Sequence, residues 1–556
     1  MRAFGAGGER MSRLRGNPWA ILVVLCLGFF MVLLDITIVN IAIPSMIDGL
    51  QAGLDQILWV LNAYTLTYAV LLITTGRLGD RFGQRNLFVI GLVVFTVASA
   101  ICGLAQNPDQ LIASRVAQGI GGALLTPQTL AILTTIFPAE RRGVAFGVWG
   151  GIAGIATITG PTLGGALVTY LSWRWIFYVN VPIGVAAVAL ALYIIPDLRP
   201  GRRTRIDPIG VLLASAGLFL ITFGLIEGQR YNWSNFHTWG WLTISIPEII
   251  GGGVLLMAAF FAYDFFQTTP LVPLSLFRDV NYAVMSWVSA ALSFGMIGLF
   301  LPLTIYLQSA LGFSAIKAGL TLVPMSLVSM FLAPVAGRIA DRFPGQLIVA
   351  GGLLLFALGM GYIDLVAAPD STFWTFLPGT LLAGIGLGGT FAPLATVGLR
   401  NVRPRMAGAA SGVLNTVRQL GGAVGSAVVG AVLQNQLATH LHQEAVKSAA
   451  QLPPAFQQRF VDAFSQAAAG GLSVGRGQTG ANLPAGQVPP QVASQIARLA
   501  HDTFTNAFIG AMRPTLLVPV ILLLVGAVSC LAIPVRRRSQ RSPAEARPVT
   551  DARTAA

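Results

Sequence analysis

Asp35 stands in the middle of a long apolar run, "ILVVLCLGFFMVLLDITIVNIAIP" (Ile21 to Pro44). A carboxylate within a membrane span costs about 2.5–3.5 kcal/mol on insertion scales, so such a residue usually marks an ion or proton path. A plainer reading is an Asp held by Thr37 or Asn40 for packing alone. Arg115, on a separate apolar run, is the candidate counter-charge; alternatively it is a rim arginine snorkelling to headgroups. Gln118 lies three residues on, on the same helical face. Asp35 is about 13 Å below one end of its span and Arg115 roughly 6–10 Å. The two therefore share a depth from different helices. Pairing lessens the cost of burying each, and making or breaking the pair turns conformation into proton affinity. A third charge, Arg418, lies about 16 Å into its span. It contacts a substrate, relays charge or bridges helix carbonyls.

A polar phrase is written twice, 261 residues apart: "GRLGDRFGQRN" (Gly76 to Asn86) and "GRIADRFPGQ" (Gly337 to Gln346). Gly76 and Gly83 permit tight turns and close helix approach. Asp80 is expected near the N-terminal ends of neighbouring helices, where a carboxylate is favoured. Arg81 and Arg85 can pair with carboxylates or carbonyls. The second copy offers Gly337, Asp341 and Arg342, but has Pro344-Gly345 where the first has Gly83-Gln84. A simple positively charged loop is the alternative to a gating role.

These residues need membrane-spanning helices to position them. The 556-residue chain is 54% hydrophobic and 10% charged, with 63 glycines. That is the composition of a polytopic all-α membrane protein. Fourteen spans are expected near 19–43, 57–75, 87–105, 111–136, 143–166, 175–195, 207–227, 241–263, 282–307, 316–336, 347–367, 375–398, 407–433 and 513–534. The first is too long for a signal peptide and lacks a small-x-small exit. Arginines crowd alternate loops and both ends of the chain, which places those loops and both termini in the cytoplasm of a cell-membrane protein.

Both copies of the phrase then fall between a second and a third span, a parallel internal repeat. Eight spans separate them where six would suffice, so two are inserted. The expected organisation is a cytoplasmic N-terminus (1–18), a six-helix half (19–195), and a basic linker with two inserted helices (196–281). A second six-helix half (282–534) and a basic tail (535–556) follow. The second half includes a segment, 434–512, read as an outer loop with a Gly-rich centre and amphipathic helices on either side. Glu227 and Asp364 are read as solvated near outer ends, Glu248 as a third of the way in, and Asp264 as cytoplasmic.

The formal charge of +14 is no sign of nucleic acid, because no basic face carries interleaved aromatics. Neither lysine, Lys317 nor Lys447, lies in a G-K-[ST], so no Walker loop drives the protein with ATP. No HExxH or GxSxG supports an enzyme. Cys26, Cys102 and Cys530 lack metal or redox spacing, and His440 and His442 read as a solvated pair. Neither cofactor nor metal is expected.

The doubled phrase resembles the loop signature of the major facilitator superfamily. "LDITIVNIAIP" (Leu34 to Pro44), "RVAQGIGGALLTP" (Arg115 to Pro127), "GPTLGG" (Gly160 to Gly165), "WRWIFYVNVPIG" (Trp173 to Gly184) and "NTVRQLGGAVG" (Asn415 to Gly425) resemble motifs of its 14-span drug:proton antiporters. The resemblance implies proton coupling by Asp35 and Arg115 and gating by the phrase. It also implies an exporter signature at Gly160, Pro161, Gly164 and Gly165. The expected function is proton-driven export of hydrophobic or cationic drugs or lipid-like compounds; the alternative is a proton-coupled importer. Asn40, Tyr64, Tyr68, Gln118, Trp149, Phe294 and Arg418 are candidates for the substrate cavity, with Trp59 and Tyr306 as further aromatics. The expected partners are the small-molecule substrate, protons and membrane lipids, with an envelope adaptor left open.

Overall fold

The computed structural model describes residues 15–534, except 53, 198–206, 229–230, 232, 240–241, 268–269, 404–405 and 470–489. The expected N-terminal and C-terminal cytoplasmic segments, most of the basic linker and the Gly-rich centre of the outer segment thus lie wholly or mostly outside the described residues.

The spans are helices α1 Pro18–Ile41, α2 Leu54–Phe82, α3 Gln84–Leu104, α4 Pro108–Ile136, α5 Arg142–Tyr170, α6 Asn180–Ile194 and α7 Pro208–Glu227. They continue with α8 Ile246–Phe265, α9 Val280–Ile305, α10 Ala315–Arg342, α11 Gly345–Val366, α12 Phe373–Gly398, α13 Ala407–Ala449 and α14 Pro490–Ser529. Side-chain caps open several of them: Asn17, Asn107, Asp207, Asp279 and Ser314 each accept a first-turn N–H. α1 ends at Ile41, and after Ala42 a short helix, Ile43–Leu50, takes over.

The packing repeats. α3 lies on α4, α2 on α4, α1 on α5 and α3 on α6; correspondingly α11 lies on α12, α10 on α12, α9 on α13 and α11 on α14. Across the middle, α5 packs on α10 and α2 on α13, again a matched pair. The chain is therefore two six-helix halves, α1–α6 and α9–α14, with α7 and α8 inserted. α7 leans on α2 and α13, while α8 packs chiefly on α7. Between them lies an antiparallel hairpin, β1 Asn235–Trp239 and β2 Leu242–Ser245.

The hairpin corrects one expectation. Residues 242–245 are strand, so α8 starts later and Glu248 stands in its first turn, not a third of the way in. Its carboxylate accepts from the Ser245 N–H at 2.7 Å in a capping box. Glu227 is not solvated at its helix end but buried, 4% exposed. Asp264 is buried too, and accepts the N–H groups of Leu271 and Val272 at 2.6 and 3.1 Å. It ties the connection from α8 to α9 back onto the helix that precedes it.

The helical flanks of segment 434–512 continue the two neighbouring spans. α13 runs on to Ala449 and α14 begins at Pro490. A further helix, Pro454–Ala469, packs on α13. Leu437, Leu441, Phe460, Phe464, Phe504 and Phe508 make their shared core, continuous with that of the second half. The period of 3.6 in these Ala- and Gln-rich stretches sustains the two spans beyond the apolar region.

Candidate functional site

Asp35 of α1 and Arg115 of α4 form an ion pair inside the first half. Neither is more than 1% exposed. Gln118 completes a triangle: its Nε2 donates to Asp35 Oδ1 at 2.8 Å, and Arg115 Nη1 donates to its Oε1 at 2.7 Å. Arg115 Nε donates to the Val60 carbonyl at 3.0 Å, and the Tyr64 ring lies 4.3 Å from the guanidinium. Around this core, Gln118 Nε2 donates to Ser99 Oγ at 3.3 Å, Asn180 Nδ2 donates to the same oxygen at 3.1 Å, and Ser99 donates to Phe177 O at 3.0 Å. Helices α1, α2, α3, α4 and α6 all contribute. Gln118 and Tyr64 therefore belong to the charged cluster. Thr37 and Asn40 do not hold Asp35: both donate to backbone carbonyls, and Asn40 is exposed.

At the Arg-rich end the two copies of the phrase cross between the halves. Asp80, 2% exposed, accepts the N–H groups of Gly408 and Ala409 at 3.0 Å each. Those are the first amides of α13, where unsatisfied donors and the helix dipole favour an anion. Asp341 accepts the N–H of Gly143, in the first turn of α5, at 2.9 Å. Each carboxylate thus caps a helix of the other half. Arg77, rather than Arg81 or Arg85, lies beside Asp80, at 3.9 Å. Arg81 sits over Phe82, Arg85 donates to Leu192 O and Arg342 is exposed. Gly83 has φ +95°, a conformation open to glycine but rarely to other residues, in the one-residue turn that joins α2 to α3; Pro344 makes the equivalent turn at φ −60°.

The crossing depends on missing side chains. A Cβ on Gly76 would lie 2.4 Å from Gly408 O, and one on Gly337 would lie 1.9 Å from Gly143 O. The receiving glycines, Gly143 with Gly147 and Gly408 with Gly412, were not singled out in the sequence. Their signal was there: a G-x-x-x-G opens both α5 and α13. It is a second repeated phrase, complementary to the first.

The glycines of α5 divide between two neighbours. Gly143, Gly147 and Gly154 press on α10 of the other half, while Gly160 and Gly164 press on Thr37 and Ile38 of α1. Gly165 meets nothing within 4 Å, and the side chain of Pro161 lies outside the described residues. Trp149 stacks on Phe29, with centroids 4.2 Å apart. It lines a small cavity between the halves together with Leu130, Ser289, Phe391, Asn415 and Arg418. Phe294 is buried against Gly425, away from that cavity. Tyr68 faces Arg418 across the midline.

Two halves related by a repeat, helix caps exchanged between them and one buried ion pair in the first half together make a transporter architecture. A profile of the Major Facilitator Superfamily matches residues 25–426. The chain belongs to that superfamily. Within it, an uncharacterized MFS-type transporter of Mycobacterium tuberculosis, Rv1250, is 42% identical over 426 residues, which cover 76% of this chain and 72% of the relative. The tetracenomycin C resistance and export protein of Streptomyces glaucescens is 34% identical over 504 residues, 90% of each chain. The human organic anion transporter MFSD10 (TETRAN) matches with a TM-score of 0.56 over 91% of this chain and 99% of that one. At 14% identity that likeness is one of major-facilitator fold alone.

Proposed function

We propose that the protein is a proton-coupled exporter of hydrophobic, drug-like compounds. It works by alternating access in the cell membrane, with both termini in the cytoplasm, and performs no covalent chemistry on its cargo. The proton side of this reading is carried by the buried Asp35–Arg115 pair. Pulling such a pair apart inside a protein leaves an uncompensated charge, which is costly unless the carboxylate takes up a proton. Arg115 keeps the Val60 carbonyl, Gln118 and the Tyr64 face when the carboxylate is neutral. Protonation and rearrangement of α1 against α4 are thereby linked. The export direction is supported by the resistance and export protein among its relatives and by the "GPTLGG" stretch of α5.

In this conformer the Asp80 and Asp341 caps hold the Arg-rich, cytoplasmic end shut. Opening that end requires both caps to release. Reconstituted vesicles loaded with a fluorescent hydrophobic dye test the reading. An imposed pH gradient should drive the dye uphill, and a protonophore should stop it. Dye movement indifferent to the gradient would refute proton coupling.

A further inference from the structure

The cavity between the halves holds a cation that no acidic side chain among the described residues neutralises. Arg418 projects from α13 into a space lined from the first half by Leu130 and Trp149 and from the second by Ser289, Phe391 and Asn415, among others. No acidic side chain lines it. Among the described residues the ion pairs are Arg77–Asp80, Arg115–Asp35 and Lys447–Glu444, and none involves Arg418. Nor does Arg418 settle on the backbone. Arg85, Arg142 and Arg174 donate to carbonyls, whereas no such bond is made by Arg418 among the described residues. Its hydrogen-bond partner is an uncharged hydroxyl, that of Tyr68, which satisfies a donor without neutralising the charge.

A second donor shares the cavity wall. The Trp149 indole N–H is buried and has no acceptor. The closed conformer leaves about 20 Å³ there for water-sized occupants, room for a water or two. The walls belong to both halves, so separating the halves widens it. A guanidinium without a counter-charge and an unspent N–H inside a largely apolar cavity are complementary to one kind of ligand group.

We propose that Arg418 is the charge-selecting residue of the transport cavity, and that it takes the carboxylate, sulfonate or ionised phenol of an amphipathic anion. The Trp149 N–H is the second donor, and Leu130, Leu292 and Phe391 flank the apolar body. This rests on reading the protein as an exporter and names the cargo class of its central site. The site also touches the proton pair through packed side chains. Tyr68 stacks on Tyr64 with centroids 5.9 Å apart, and Tyr64 lies under Arg115.

Two xanthene dyes of opposite charge test it: sulforhodamine B, a net anion, and rhodamine 6G, a cation. Equilibrium binding to the full-length protein in neutral detergent micelles is read by fluorescence anisotropy, without any gradient. The wild type should bind the anion at least tenfold more tightly than the cation. Arg418→Gln should erase that preference by weakening the anion, Arg418→Lys should keep part of it, and Arg418→Glu should reverse it. Trp149→Phe removes one N–H from a ring-filled site and should weaken the anion alone, two- to fivefold; it decides the matter if Arg418 variants fail to insert. No preference in the wild type, binding of neither dye, or a dye ratio unmoved by both Arg418→Gln and Trp149→Phe overturns the proposal. The export reading fails separately. Anion binding without gradient-driven transport in vesicles removes that reading and leaves the site. Gradient-driven transport with a ratio indifferent to Arg418 does the reverse.

Discussion

Asp80 accepts the N–H of Gly408 at 3.0 Å across 328 residues of chain. Its counterpart, Asp341, reaches back 198 residues to Gly143. Among the described residues the Arg-rich end is therefore fastened by carboxylates on helix N-termini rather than by ion pairs between the halves. Such contacts are buried and short-ranged, so added salt should do little to them.

Asp80→Asn should weaken this fastening. An amide has one acceptor oxygen where the carboxylate uses two, on Gly408 and Ala409. A hydrogen bond to a charged group is worth about 1.5–3 kcal/mol, so the closed conformer should lose about tenfold or more in population. Asp341→Asn removes a contact made chiefly with the Gly143 N–H, with the Val144 amide beside it, at a half-buried site, and should cost less. Vesicle transport rates at matched protein density check both. Equal, full activity in the two variants would reduce the phrase to a topology signal.

Gly408→Val tests the same crossing by bulk instead of charge. A Cβ there would lie 2.4 Å from both Gly76 O and Asp80 Oδ1. The cap cannot form without moving a helix, so transport should fall at least tenfold while insertion stays normal. Spin labels on Phe82→Cys and Arg342→Cys, both at the Arg-rich end, should report a wider separation than in the otherwise unaltered protein. An unchanged distance distribution would count against the closed end as the gate.

Asp35→Asn should abolish uphill, gradient-driven efflux and spare substrate binding or downhill exchange. Arg115→Ala should disturb the pH profile as well as the rate, because Asp35 then stays buried with only Gln118. Counterflow and pH-jump assays on the same vesicles separate the two kinds of loss. Concentrative transport by Asp35→Asn, driven by a pH difference alone, would sink the coupling scheme.

Orientation is open to cysteine labelling. Phe82 and Phe343 are 50% and 65% exposed beside the two copies of the phrase, whereas Tyr170, 83% exposed, ends α5 at the opposite face. Cysteines at the first two should label only in permeabilised cells, and one at Tyr170 in intact cells. The native Cys26, Cys102 and Cys530 are buried and give little background. Reagent reaching Phe82→Cys in intact cells would invert the topology.

Much of this was legible in the residues. The doubled phrase marked both ends of the crossing, and counting along two apolar runs brought Asp35 and Arg115 to one depth. The partners of the phrase were harder to see. Gly143 and Gly408 look like ordinary small residues until two helices hundreds of residues apart meet on them. Ser99 and Asn180 escaped for a related reason, since each is a single small polar residue whose role exists only once five helices converge. Arg77 rather than Arg81 meets Asp80, because three residues along a helix is a shared face and one is not. The helices flanking the Gly-rich centre were legible from their amphipathic pattern, but Ala and Gln lower the hydropathy without lowering helix propensity, which hid that those helices are continuations of α13 and α14.

The length of α13 has a mechanical consequence. Its 43 residues make a rod of about 65 Å, roughly twice the thickness of the hydrocarbon core. α14 is nearly as long, at 40 residues, and the two are bolted together by the packing of Leu441, Phe504 and Phe508 beyond the apolar region. The second half therefore carries an outrigger. Any tilt of that half about its partner is magnified in proportion to distance from the pivot, and is largest at the tip near Lys447. The leverage also runs the other way. A body clamped to the tip, such as a bound antibody fragment, restrains the tilt of the helix whose first amides Asp80 holds, so the far end of the molecule is a handle on the proposed gate.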